Sequence, residues 1–525
     1  MHQNPMSPSE NNNPGEAGSV PGRTDIFFEF ESDLCQRATQ VLHFLSTVND
    51  PPFLFQKGRN LVRITRERGY PIIEPLTKVS LRTELTQRAR FYEQRFFKNR
   101  PEFVGCDLSL DLTEYLLSLD SWPFPELDRV VSSPIFTRDG QLVADDGYHA
   151  SERLLLRASA CSLPQVPHRP TPEHVTQART LILDELLVDF PFRDEASRAH
   201  AVAMGLLPFV RLMIGGPTPL HLISAPVQGT GKSLLAEAMS VIATGASPKM
   251  ITEAQHDEEW RKRITAMLDL SPTYIVIDNI NRPIDSAALA AVITVRDWGD
   301  RRLGKSTMMV AQNNSTWVAT ANNPTMSGEI ARRTLWLHLD PLQEHPWLRS
   351  GFKHASLLTW VEQNRSQLMW AFLVLTQNWV ARGMPSPLIK KPFGSFEQWT
   401  RVVAGILESA NIEGFLENMG DSYERADEDS NEWRVFVEAW WQELGDRPVR
   451  AAQLNELARE RGLLPSLLDE LPFQKRKTAL GNALRSKRDR VFEGLKLVHG
   501  GQHTHLKVSQ YRLTNLNHKA GIAHK

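Results

Sequence analysis

The chain of 525 residues holds only three cysteines, Cys35, Cys106 and Cys161, far apart in sequence. That excludes a disulfide framework and a zinc site built on cysteine, and it suits reduced thiols in a cytoplasmic protein. No apolar run approaches the ~20 residues that cross a bilayer, so no membrane partner is expected. The opening "MHQNPMSPSENNNPGEAGSVPGR" lacks the apolar stretch of a secretory signal, and its Pro, Asn, Ser and Gly read as a disordered tail over 1–23. There is almost no net charge, formally −1. The balance is uneven, however. From Leu471 to Lys525 twelve Lys and Arg face two acids, Asp489 and Glu493, which leaves the remainder about 11 units negative. A basic end on an acidic chain suggests contact with a polyanion, although a solvated basic surface has the same composition.

The length suggests three or four domains at ~150 residues each. Residues 24–170 read as an α+β accessory domain. "FLFQKGRNLVRI" (Phe53 to Ile64) alternates about a Lys-Gly turn and predicts a hairpin. "IFTRDGQLVADDGYH" (Ile135 to His149) predicts another about Asp139-Gly140. Between them "LRTELTQRARFYEQRFF" (Leu81 to Phe97) has helical periodicity. A Pro-rich linker, Ser162 to His174, precedes an α/β region over 171–345. There "HLISA" (221–225), "TYIVID" (273–278), "STWVATA" (315–321) and "TLWLHLD" (334–340) read as strands separated by helices, which predicts a parallel sheet wrapped by helices. Residues 346–420 read as helical, 421–446 as an acidic linker. Over 447–515 come a helix (Ala451 to Leu464), a basic helix (Lys475 to Asp489) and two strands about Gly500-Gly501, the order of a winged helix-turn-helix.

The most informative stretch is "HLISAPVQGTGKSLLAEAMS" (His221 to Ser240), an apolar strand, a glycine-rich turn and a helix. It fits the phosphate-loop frame G-x-x-x-x-G-K-S/T except that Pro226 stands at the first glycine. That position opens the turn, where a fixed φ near −65° is acceptable. Val227, Gln228, Gly229, Thr230, Gly231, Lys232, Ser233 and Leu234 would then surround phosphate with backbone N–H groups at a helix N-terminus. Lys232 would reach the β- and γ-phosphates of ATP, and Ser233 would hold Mg²⁺.

A nucleotide hydrolase also needs a metal carboxylate on a neighbouring strand, and "TYIVIDNIN" supplies Asp278. Asn279 follows where a water-polarising carboxylate would serve; its amide can orient a water, or Glu253, Glu258 or Glu259 can act instead. "WVATANNPTMSGEIARRT" delivers Asn322 and Asn323 at a strand end, amides suited to sensing the γ-phosphate. Arg332 and Arg333 follow; a guanidinium there can neutralise transition-state charge, or can be an ordinary surface cation.

In order and spacing, "APVQGTGKS", "YIVIDN", "VATANNP" and "SGEIARRTLWLHLD" resemble AAA+ ATPases, most closely the ATPase modules of phage, plasmid and integrative-element replication helicases and primase-helicases. The resemblance covers about 175–410. It implies a helical lid over 346–420, with Arg401 as a candidate second sensor. It also implies Asp278 as the Walker B acid, Asn322 rather than Asn323 as the first sensor, and Arg332 or Arg333 as a finger reaching the neighbour in a homo-oligomeric ring, usually a hexamer. A pore hairpin over Arg296 to Asn314 would grip DNA through Arg302 and Lys305, and the basic helix through Lys477, Arg485, Lys487 and Arg488. The expected function is an ATP-driven DNA helicase of mobile-element replication, with priming supplied by a separate primase. The alternative is a nucleotide-switched DNA-binding or loading ATPase that does not unwind.

Overall fold

The computed structural model describes residues 22–516 apart from 68–69, 158–161, 302–307, 390–392, 421–427, 470 and 503–507. The expected N-terminal tail therefore lies, through residue 21, outside the described residues, as does Cys161. Cys35 and Cys106 are free thiols.

The chain divides into two units. The first holds the described residues up to Ser132 together with Asp145–Arg157. Its elements are β1 (Thr24–Phe28), α1 (Leu34–Val48), β2 (Leu54–Lys57), β3 (Asn60–Glu67), β4 (Tyr70–Pro75), α2 (Lys78–Arg88), β5 (Ala89–Phe97), β6 (Arg100–Gly105), α3 (Leu110–Leu117) and β7 (Arg129–Val131), with β10 (Gly147–His149) and β11 (Leu154–Leu156) further on. Val41, Leu81, Leu85, Phe91 and Leu112 lie in one core. The hairpin expected over 53–64 is β2 with β3, Leu54 opposite Arg63. The helix expected over 81–97 is only half present. It begins at a Thr77 capping box and ends at Arg88. Residues 89–97 form β5, the central strand between β1 and β6, because the aromatic run Phe91, Tyr92, Phe96, Phe97 suits a pleated surface.

The second unit holds Ser133–Ala144 and the described residues beyond Arg157. The hairpin expected over 135–149 is shorter than predicted. Only β8 (Ile135–Phe136) and β9 (Leu142–Val143) pair across the Asp139-Gly140 turn, and Gly147–His149 pairs with Leu154–Leu156 instead.

The main sheet has five strands, β12 (Leu220–Ala225), β13 (Lys249–Ile251), β14 (Tyr274–Ile280), β17 (Thr316–Asn322) and β18 (Thr334–His338), in the order β13-β14-β17-β12-β18. Every pairing is parallel. All four strands expected from apolar runs are present; the short edge strand β13 is additional. β12 is buried along its whole length, the mark of a parallel strand covered on both faces. The covering helices include α4 (Pro172–Thr180), α5 (Glu195–Val210), α6 (Lys232–Thr244), α7 (Asp257–Asp269), α8 (Ala287–Thr294) and the short α9 (Gly328–Ala331). β15 (Asp297–Arg301) and β16 (Met308–Gln312) form an antiparallel hairpin anchored by Asp300, whose carboxylate accepts from Arg261 and Thr265. α10 (Leu357–Gln363), α11 (Arg365–Ala381) and α12 (Glu397–Ser409), the segment expected as a lid, share one hydrophobic core with the sheet.

At the C-terminal end, residues 428–444 correct the expected linker. They form a helix whose Trp433, Phe436, Val437 and Trp440 are buried in a separate core with Leu454, Leu480 and Leu513. Helices Ala451–Arg461 and Phe473–Ser486 follow, with a four-stranded sheet of order β19-β22-β21-β20: β19 (Val449–Arg450), β20 (Val491–Phe492), β21 (Leu495–Gln502) and β22 (Ser509–Asn515). Two strands were expected about Gly500-Gly501. Instead a tight turn at Glu493-Gly494, both with positive φ, joins β20 to β21, and the two glycines sit inside β21 at a register shift opposite β22.

Candidate functional site

The connections of the main sheet reverse direction beside β12. From β12 the chain crosses to the far edge at β13, returns through β14 and β17, then passes β12 to reach β18. In open parallel sheets such a switch point, at the carboxyl ends of the strands, leaves a crevice where ligands bind. The turn Pro226–Gly231 occupies that place. Gly229 (φ 72°) and Gly231 (φ 91°) adopt left-handed backbone that residues with a Cβ avoid. Gly231 is the N-cap of α6, and no side chain caps that helix. Its first N–H groups can thus receive an anion, with the positive end of the helix dipole behind them.

The side chains converge on this turn. Lys232 is only 8% exposed, and its Nζ donates to Asn322 Oδ1 at 2.7 Å. Burial lowers its pKa, against the opposing pull of Asp278. A buried ammonium held by neutral oxygens favours an incoming anion. Ser233 Oγ donates to Asp278 Oδ1 at 2.7 Å. Thr320 Oγ1 donates to that same oxygen at 2.7 Å and accepts from the Asn279 N–H at 2.7 Å. Together Gln228–Leu234, Asp278, Asn279, Thr320 and Asn322 line a cleft of about 430 Å³. A hydroxyl and a carboxylate side by side, next to an anion site, suit Mg²⁺, which usually takes one or two protein carboxylates and completes its shell with phosphate and water. Among the described residues no cluster of three His, Cys, Asp or Glu could hold a metal by protein ligands alone.

Asn322 and Asn323 part company. Asn322 faces Lys232, whereas Asn323, at φ 42°, donates from its backbone to Ala225 O and from Nδ2 to Pro226 O. Asn323 lines a separate cavity of about 280 Å³ with Arg193, Ser224, Trp336 and His338. Asn279 is exposed at φ 53°, where β14 shifts register against β17. None of the alternative carboxylates lines the cleft. Glu253 accepts from the Asn281 and Arg282 backbone N–H groups, Glu258 pairs with Lys262 and Glu259 with Arg263.

Arg332 and Arg333 are not brought to the cleft. They precede β18, and the Arg333 carbonyl accepts from Leu220 N–H at the start of β12. Five residues of strand, roughly 17 Å, separate that amino end of β12 from the turn Pro226–Gly231. Arg333 is paired with Glu329 at 2.6 Å, while Arg332 is exposed with no ion pair among the described residues. Arg401 is exposed on α12. Arg302 and Lys305 lie outside the described residues. Lys477 and Arg485 are exposed on helix Phe473–Ser486. That helix is shorter than expected, so Lys487 is its C-cap, over the Trp433 ring at 5.1 Å, and Arg488 lies beyond it, paired with Asp489.

Thr320 was not anticipated from sequence. The available signal was its strand period: it is two residues before Asn322 and so shares that residue's face.

No family model and no curated protein matches the chain. Among solved structures it is similar to an active helicase, Cch of SCCmec type IV, with TM-score 0.36 and 13% identity over 88% of this chain and 91% of that one. It is also similar to the C-terminal region of NrS-1 in an apo A form, with TM-score 0.35 and 11% identity over 87% and 95%. A likeness this distant bears on no residue's role.

Proposed function

We propose that the chain is an ATP hydrolase of the AAA+ class that drives movement on DNA, a ring-forming helicase or primase-associated helicase of mobile-element replication. One observation carries the reading: Ser233 and Asp278 meet at 2.7 Å in a cleft where Lys232 and Asn322 also meet at 2.7 Å. ATP would enter with its phosphates in the turn Val227–Leu234. Lys232 would exchange Asn322 for the β- and γ-phosphates, and Ser233 and Asp278 would hold Mg²⁺. Asn322, released, would face the γ-phosphate and the attacking water. Arg332 lies at the amino ends of the strands, away from its own cleft at their carboxyl ends, which supports action on a neighbouring copy's nucleotide in a ring, usually a hexamer. Lys477 and Arg485, exposed on a basic helix beside a small antiparallel sheet, fit the winged-helix reading and phosphate contacts to duplex DNA.

A second reading, a nucleotide-switched DNA-binding or loading ATPase without unwinding, draws on one observation. Asp278 is the only carboxylate among the described residues that line the cleft, and Asn279 cannot act as a base. Strand displacement on a forked duplex separates the two. The helicase reading expects ATP-dependent displacement that Lys232→Ala abolishes. ATP-dependent DNA binding with no displacement selects the switch, and absence of ATP binding overturns both.

A further inference from the structure

A nucleoside triphosphate has two ends of unlike chemistry, a polyanion and a flat aromatic base. The cleft at the phosphate turn serves only the first, because no aromatic ring among the described residues lines it. Aromatic rings do reach the phosphate turn from elsewhere. Phe190 packs on Gly231, where an added Cβ would lie 3.3 Å from the ring, and is itself buried. Trp347 packs on Gly229, where an added Cβ would lie 3.1 Å from the Trp347 Cβ and 3.3 Å from ring atom Cε3. Yet Trp347 remains 58% exposed. It thus touches the phosphate loop through its Cβ and Cε3 while much of its surface stays accessible.

The ring is also held in place. The segment after β18 leaves by a bond from Asp340 N–H to Pro191 O. It is fastened again by Arg349 Nη2 to Asp189 O at 3.0 Å and by Lys353 N–H to an Asp189 carboxylate oxygen at 2.8 Å. Pro346 is buried, and the His345 ring lies 4.9 Å from the indole. A large aromatic surface kept in water beside an anion-binding turn is pre-organised for a second flat ring.

We propose that Trp347 is the platform on which the base of the bound nucleotide stacks. The proposal rests on the phosphate-loop reading and adds to it the group that distinguishes a nucleotide from a bare polyphosphate. Calorimetry on the full chain with Mg²⁺ tests it, using ATP and inorganic tripolyphosphate as paired probes. Wild-type protein binds ATP more tightly than tripolyphosphate. Trp347→Ala weakens ATP by roughly 5- to 100-fold and leaves tripolyphosphate unchanged, whereas Trp347→Phe keeps most of the ATP affinity. Unchanged ATP affinity in Trp347→Ala overturns the proposal while leaving the phosphate loop intact. So does equal loss of both probes in that variant, or a wild type indifferent to the base. A wild type that binds neither probe overturns the phosphate-loop reading, and this proposal with it.

Discussion

Asp278 Oδ1 accepts from two hydroxyls at once, those of Ser233 and Thr320, and Thr320 in turn accepts the Asn279 N–H. Under the proposed function Thr320 would therefore position Asp278, the carboxylate proposed to hold Mg²⁺. Thr320→Val keeps the shape, removes one donor to Asp278 and leaves the Asn279 N–H without its partner. It should raise the Mg²⁺ concentration for half-maximal ATP binding by roughly tenfold, about 1.4 kcal/mol. Thr320→Ser should restore it, and tripolyphosphate binding without Mg²⁺ should be unaffected. Equal Mg²⁺ curves for Thr320→Val and wild type would remove Thr320 from the site. The same neighbourhood explains what the sequence could not say about Asn279. Met as a letter in a motif, it is an amide where a carboxylate is expected. In the fold it occupies left-handed backbone at a register shift, a conformation Asn tolerates better than Glu does. The preference for Asn322 over Asn323 came from the resemblance; strand period alone says only that adjacent residues face opposite ways, and in the fold it is Asn322 that meets Lys232.

At the scale of elements, α5, α6 and α11 meet at a point where no side chain fits. A Cβ at Gly205 would lie 2.5 Å from Phe372 Cζ and 2.8 Å from Met239 Sδ. In an ordinary helix Gly→Ala stabilises by roughly 0.5–1 kcal/mol. Here Gly205→Ala should instead destabilise by about 1–3 kcal/mol, because the aromatic ring must leave its rotamer or the helices must part. Urea unfolding checks the sign. Phe372→Leu in the same chain should recover part of the loss, a coupling that a double-mutant cycle reads directly. Packing of this kind also decides which elements the sequence discloses. The four long strands were readable because both faces are covered and their apolar runs are unbroken, whereas three-residue β13 is too short to register. α11 shows no apolar stripe, since thirteen of its seventeen residues are buried. The helix predicted through Phe97 ran too far for a specific reason. Leu81, Leu85 and Ala89 are all buried, so the four-residue spacing continues one step past the helix into β5. Gly500 reads as a turn but is a close approach, with Pro448 Cβ and the Tyr511 backbone 3.2 Å from where its Cβ would be.

For the molecule as a whole, two imidazoles tie stability to pH. His200 and His221 are both fully buried. His200 donates from Nδ1 to Trp336 O at 2.7 Å and accepts at Nε2 from the Leu416 N–H at 3.0 Å. A second proton would turn an N–H toward another N–H. His221 lies against Trp399 with neither ring nitrogen partnered. Burial lowers the His200 pKa to about 4, and burial with His200 nearby lowers that of His221 to about 3. The unfolded chain binds protons at the ordinary histidine value near 6.5, so below that pH it holds more protons than the folded chain. The contribution of the neutral rings is complete above about pH 6.5 and is lost as the pH falls toward 4 and then 3. At pH 5 each group should cost roughly 2 kcal/mol relative to pH 7. Guanidinium unfolding at the two pH values should therefore show a large acid loss. His221→Leu, which also removes two unpartnered buried nitrogens, should be at least as stable as wild type at pH 5 and show a shallower pH slope. An unchanged slope in that variant would mean that His200 or other groups titrating between pH 5 and 7, and not His221, account for the acid loss; Asp194 and Asp300, lowered from the ordinary carboxylate value, lose their contribution only below this window.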